Sequence, residues 1–344
     1  MDLTAGHTTA TEQKTRKEEG SHSHTMTTHS VLIPFLPTRP EQILPYAGLV
    51  HWTRAHRLWQ GQSLMVEPHH GFVHAAGAGF RVPTGLGVTL MPLRHPYEAA
   101  LQARSLALAT GQPVTAGFGP GAPSLQQALR GAPYRSPLTA AREYLTAVRG
   151  LLAGEHVRID GDYVTCDAQL APFPSAPVEI GLGVLRPAMA RLAGEVADVA
   201  ITWLTPAAYL RDTVLPALRE GAAKAGRPVP RLTAMVPLAL ARKDRTAGEI
   251  ALASNSAHLG LPHYVDMLRK SGIGITGTDR ELDAHALVEG RGFLSGGIGE
   301  LVAQLKEYEE AGVDEVVLNV TGVANCYGPQ AASEELRTIL SALA

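Results

Sequence analysis

The strongest constraint on the fold of this chain is a rhythm. Short apolar runs recur along it, each followed by a stretch with helical periodicity. The runs are VLIPFL (31–36), RLWQ (57–60), LGVTLM (86–91) and PVTAGF (113–118), then VEIGLG (178–183), VAITWL (199–204), LTAMVPLAL (232–240) and EVVLNV (315–320). Each is bounded by Gly, Pro or charge and lacks polar alternation, which is the pattern of strands covered on both faces.

The intervening segments read as amphipathic helices. Tyr144, Leu145, Val148, Leu151 and Leu152 form one stripe in 141–152, and Met189, Leu192, Ala193 and Val196 another in 187–197. Pro187 suits a first helical turn. In 299–311, Leu301, Val302, Leu305 and Tyr308 line up and Gly312 supplies the stop. Thr205–Pro206 reads as a cap and first turn, with Pro216 kinking the helix that follows. Eight strands alternating with helices predict an α/β fold, a closed (β/α)8 TIM barrel, as one domain over 31–344. Between the seventh and eighth strands, the Gly-rich stretch 271–299 reads as a mobile insertion or lid.

Residues 1–30 are polar and read as a flexible tail carrying His22, His24 and His29, and deletion of residues 1–29 is expected to leave folding and cofactor affinity intact. Met26 stands as an alternative translation start. With 30 basic and 32 acidic side chains, a net charge of −2 gives no footprint for nucleic acid or an anionic membrane. No apolar run approaches the roughly 20 residues of a bilayer span. Cys166 and Cys326 lack disulfide-scaffold or metal spacing, so reduced thiols in a cytoplasmic protein are expected, with no metal site.

Four stretches resemble the bacterial luciferase-like oxidoreductases. TGLGVTLMPLRHPYEAALQARSLALATGQPVTAGFGPG (84–121) resembles the third and fourth strands of that family with the Arg-His-Pro turn between them. VEIGLGVLRPAMARLAGEVADVAITWLTP (178–206) resembles its fifth strand, helix and sixth strand, and GELVAQLKEYEEAGVDEVVLNV (299–320) its last helix and strand. REYLTAVRGLLAGE followed by DGDYV (142–164) fits its mid-chain segment. The resemblance implies a TIM barrel binding the deazaflavin coenzyme F420, with FMN as the alternative, at the C-terminal mouth. It also implies an oxidoreductase acting on a small-molecule or peptide substrate, with a homodimer left open.

The resemblance places the cofactor phosphate at Gly183, Val184, Leu185 and Arg186, where strand meets helix. Free N–H groups and the helix dipole make such a point a ready anion site. A glycine is common among relatives where Arg186 stands. Val88 and Thr89 are carried over as the place of a non-proline cis peptide beneath the cofactor ring. Gly117 and Gly119, in GFGPGAP, are read as side-chain-free positions that let a planar ring approach, and a dinucleotide-binding reading is rejected because Pro120 and Pro123 make a poor helix start. Gln60 ends the second strand as a cofactor contact. In EPHH (67–70), His69 and His70 are the candidate catalytic groups for moving a proton. His95 orients the turn before Pro96, and Trp203 and Thr205 are expected to line the substrate pocket.

The leading expectation is hydride transfer between coenzyme F420 and an organic substrate, such as a natural-product or peptide intermediate. The alternatives are an FMN-dependent monooxygenase and, from another class, a non-catalytic ligand-binding barrel.

Overall fold

The protein is described by a computed structural model covering residues 26–344. Its strands are β1 (Thr28–Leu32), β2 (Leu58–Gln60), β3 (Thr84–Leu90), β4 (Val114–Gly119), β5 (His156–Asp160) and β6 (Thr165–Gln169). They continue with β7 (Val178–Gly183), β8 (Val199–Trp203), β9 (Arg231–Leu240), β10 (Leu294–Gly296) and β11 (Glu315–Asn319). Eight of them run parallel in the order β1-β2-β3-β4-β7-β8-β9-β11, and β11 returns to β1, closing the barrel. β10 adds to the upper part of β9, and β5 and β6 form a separate antiparallel hairpin. Each of the eight barrel strands overlaps one of the eight apolar runs, β1 by only two residues. Among the described residues, no helix is long and apolar enough to cross a membrane.

Two apolar cores follow from the alternation of side chains along each strand. Leu32, Trp59, Val199, Ile201, Met235 and Val317 fill the barrel interior, and the larger cluster lies between strands and helices. Trp59 has no exposure and lies against β3, where a Cβ at Gly85 would sit 2.3 Å from the indole. Only glycine tolerates that approach.

At the strands' N-terminal ends, a buried ionic network joins most of the barrel. Glu315 accepts from Ser30 Oγ (2.6 Å) and Trp59 Nε1 (2.7 Å), with Arg57 and Arg231 at 3.6 and 3.4 Å. Arg231 also grips Glu179 on β7 (2.6 Å), and Arg57 donates to the Thr84 carbonyl on β3.

Several boundaries differ from expectation. The first strand begins at Thr28, so Thr28, His29 and Ser30 are barrel residues paired with Glu315, Val316 and Val317 and not part of a tail. A deletion of residues 1–29 would therefore remove strand. His22 and His24 lie outside the described residues. The helical cap is Pro206, with Thr205 Oγ1 turned back to the Trp203 carbonyl, and the chain meets Pro216 after a π-helical turn, Leu210–Val214. Proline has no N–H to give the preceding turn, and the wider turn accommodates that loss.

The excursion between β9 and β11 holds three helices before β10: Ala247–Leu259, Pro262–Lys270 and Arg280–Glu289. The glycines of 271–299 mostly flank the last of these. Buried Asp283 accepts from the Thr276 and Gly277 amides at 2.5 and 2.8 Å, fixing the loop before it.

Removing one member of a buried ion pair leaves the other charge uncompensated, typically costing about 3–5 kcal/mol. Glu315→Ala should lower the unfolding free energy by about that amount in urea denaturation. A loss below about 1 kcal/mol, the scale of an exposed pair, would show that closure does not depend on this carboxylate.

Candidate active site

The loops at the C-terminal strand ends build the mouth. β3 carries one extra residue there: Leu86 pairs with Ala116 and Thr89 with Phe118. The peptide Gly87–Val88 within this bulge is cis. The bulge is held on three sides. Gln62 N–H donates to the Val88 carbonyl (2.9 Å), Thr89 Oγ1 to the Gly117 carbonyl (3.0 Å), and Trp203 Nε1 to the Gly87 carbonyl (3.0 Å). Trp203 thus reaches across from β8, and with half-buried Val88 it rests on the interior core as the floor of the mouth.

A Cβ on Gly117 would meet the Leu86 carbonyl at 2.2 Å, and one on Gly119 would meet Val88 at 2.9 Å. Their missing side chains make room for the bulge. Gly183, 3.3 Å from Val88 by the same measure, borders it from the other side.

After Gly183 the chain turns into the helix Pro187–Val196. The Val184 amide donates to the Ile201 carbonyl (2.8 Å), so this residue has no donor for a ligand. Among the described residues, the Leu185 and Arg186 amides have no partner, and the first-turn amides of Ala188 and Met189 have none within the helix. Arg186 pairs with Asp266 at 3.3 Å, linking the turn to the helix Pro262–Lys270. The donors expected for an anion are therefore present at Leu185 and Arg186 and absent at Val184.

The loop after β2 presents a second polar group. His69 Nδ1 lies 2.7 Å from Glu67 Oε1, while Glu67 Oε2 accepts from Arg94 Nη2 and Gln62 Nε2, both at 3.0 Å. Burial opposes ionisation of Glu67, but hydrogen bonds from His69 and Gln62 and the charge of Arg94 prevail and bring it down to about 2. A carboxylate on Nδ1 fixes the ring and leaves Nε2 to exchange a proton. His70, the neighbour, is exposed. Gln60 is buried between β2 and the helix Pro68–Gly77, away from the floor, with both amide atoms unpartnered among the described residues. Thr205 is buried, and its carbonyl accepts from Tyr308 (3.2 Å) beneath the helix layer, so it does not line the mouth. His95 Nδ1 accepts from the Tyr97 amide and Nε2 donates to the Thr165 carbonyl (2.8 Å), which orients the turn as expected.

The excursion contributes groups that sequence reasoning missed. His258, ending the helix Ala247–Leu259, stacks on Trp203 (6.0 Å between centroids, 19° between planes), and Tyr264 meets it edge-on at 4.8 Å. Its Nδ1 is buried without a partner among the described residues. Burial pushes His258 down to about 4, with the charge of His263 adding to the shift. The excursion thus touches the floor of the mouth through His258, with Tyr264 packed behind it.

The family model for luciferase-like monooxygenases matches residues 35–315. The chain belongs to that family. It is 32% identical over 210 residues to the F420-dependent glucose-6-phosphate dehydrogenase of Beutenbergia cavernae, covering 57% of this chain and 62% of that protein. It is 35% identical over 147 residues to the 5,10-methylenetetrahydromethanopterin reductase of Methanolobus tindarius, covering 42% of this chain and 44% of that protein. The chain thus spans about half the length of these relatives. In fold it is similar to the coenzyme F420-dependent tetrahydromethanopterin reductase of Methanopyrus kandleri, with a TM-score of 0.69, 20% identity, and 90% and 97% of the two chains covered.

The His258 shift makes stability pH-dependent. The unfolded imidazole titrates near its ordinary value of 6.5 and the folded one at about 4, so on acidification the unfolded state takes the proton first. This contribution is complete above 6.5, is lost between 6.5 and 4, and is constant below. Its size is on the order of 3 kcal/mol. The stability difference between wild type and His258→Gln should therefore shrink from about pH 7 to about pH 4.5 in urea denaturation. A difference independent of pH would mean that the imidazole is not held neutral.

Proposed function

We propose that this protein is an oxidoreductase that moves a hydride between coenzyme F420 and an organic substrate at the mouth of the barrel. The observation that carries this reading is the pairing of the β3 bulge floor with the unpartnered Leu185 and Arg186 amides, within a family whose relatives here include F420-dependent enzymes. The donors fit the anionic end of such a cofactor, because free amides at a helix start attract negative charge. When bound, the deazaflavin supplies or accepts the hydride.

The chain's own residues do the rest. Leu185 and Arg186 hold the anion. Val88 and Trp203 give the ring an apolar floor. Reduction by hydride also needs a proton, and His69, fixed by Glu67, is the group that carries one. The exposed apolar rim, with Leu36 at 57%, Leu64 at 70% and Met65 at 58%, supports a substrate with a substantial apolar part. Phe35 and Leu36 also line a cavity of about 660 Å³ beside the last helix, Thr321–Ala342, roomy enough for part of a natural-product or peptide intermediate.

Calorimetric titration of coenzyme F420 and of FMN into the purified protein tests the reading. Coenzyme F420 should bind and FMN should bind more weakly. Arg186→Glu puts a negative charge beside the anion and should weaken F420 binding roughly ten- to a hundredfold, the equivalent of about 1–3 kcal/mol. Folding should persist, because the Arg186 side chain is 51% exposed and its pairing with Asp266 is a surface one. Preference for FMN would turn the proposal toward a flavin monooxygenase, and binding of neither would favour a non-catalytic barrel.

A further inference from the structure

The turn after β3 borders another cavity, of about 250 Å³, whose lining includes neither Trp203 nor the Pro187 turn. It lies between that turn, the helix Pro137–Leu152 and the β5–β6 hairpin. Its polar wall is formed by Arg94, Arg130, Tyr134, Tyr144 and Tyr163, and its described lining has no Asp or Glu.

Two features of this wall ask for an acceptor. The first is Arg94, whose side chain is only 6% exposed. Its Nη2 serves Glu67, but Nη1 is buried with no partner among the described residues. A buried guanidinium N–H without an acceptor keeps its whole desolvation penalty, so such groups are found with partners. The second is Arg130, whose Nη1 donates to the Ala132 carbonyl (2.8 Å). Its remaining N–H groups stay free among the described residues, while the guanidinium lies 4.0 Å over the Tyr134 ring and 5.5 Å from that of Tyr163. The two phenols meet edge-on at 5.2 Å and fix this cation at the rim.

The phenols are donors. Burial pushes the Tyr134 hydroxyl up, against the pull of Arg130, so it stays protonated. Tyr163 already accepts from the Ser136 amide (2.9 Å), which leaves its proton to give. Tyr144 donates to the Arg94 carbonyl (3.0 Å), steadying the backbone that carries the guanidinium. Apart from its apolar parts, Tyr144, whose proton goes to the Arg94 carbonyl, and His95, which the backbone already occupies, the side chains facing the cavity offer a proton or a positive charge.

We infer that this cavity binds a small oxyanion, a carboxylate or phosphate group, with Arg94 Nη1 at its inner end and Arg130 at its rim. Planar, donor-rich guanidinium is well matched to such groups. The inference does not depend on which cofactor the mouth holds.

Isothermal titration of inorganic phosphate and, separately, of glutarate into the full chain tests it, at ionic strength held constant with chloride. Saturable binding of at least one is expected. Which one binds tells a tetrahedral ligand from a carboxylate. Arg130→Gln, at an exposed position, should weaken it about tenfold or more. Arg94→Lys, which keeps a charge beside Glu67 and withdraws the second nitrogen, should abolish it. No saturable heat with either probe overturns the proposal. Equal binding by wild type and Arg130→Gln overturns it too, as an adventitious ion only. If Arg94→Lys unfolds, Arg130→Gln alone decides.

Discussion

Glu315 carries a charge into a position with no exposure, and strands from both sides of the barrel seam converge on it. Burial alone would keep it protonated. Arg57, Ser30, Trp59 and Arg231 more than offset that and hold it ionised. The Trp59 contact ties this lower network to the upper architecture. Once its N–H is fixed on Glu315, the indole fills the barrel interior, and β3 must pass it with glycine at position 85. The same strand then carries the bulge at Gly87–Val88, on whose carbonyl Trp203 anchors. Barrel closure at one end and the floor of the mouth at the other are thus joined through one side chain.

The parallel barrel was legible in the sequence because its strands are buried on both faces. VEIGLG coincides with β7 and VAITWL overshoots β8 by one residue. β1 was placed too late for a related reason. Thr28, His29 and Ser30 look like tail, yet Ser30 is polar because it faces the buried Glu315. Polarity signals solvent only when no charge lies inside. The β5–β6 hairpin, which turns over residues 161–164, and β10 were not read from the sequence, β10 because three residues show no period.

The site was legible in outline and less so in its parts. Strand ends marked the mouth, and EPHH pointed to His69, while its partner Glu67 was not singled out. Val184 could not be excluded from sequence, since its amide bonds to Ile201 only once β8 is in place. Glycine at 117 and 119 signalled close approach, and the structure brings the β3 bulge against both. His258 comes from an excursion with no strand rhythm, and nothing in SAHLGLPHYVD announces that it lands on Trp203.

The central claim is that a planar cofactor with an anionic end lies between the β3 bulge and the turn before Pro187. Hydrogen exchange read by mass spectrometry, with and without saturating coenzyme F420, tests it most directly. The expected result is slowed exchange in peptides spanning 184–190 and 84–90, with 28–32 at the barrel's far end unchanged. Unchanged exchange at 184–190 under demonstrated binding, or protection confined to the cavity beside 329–337, would contradict it.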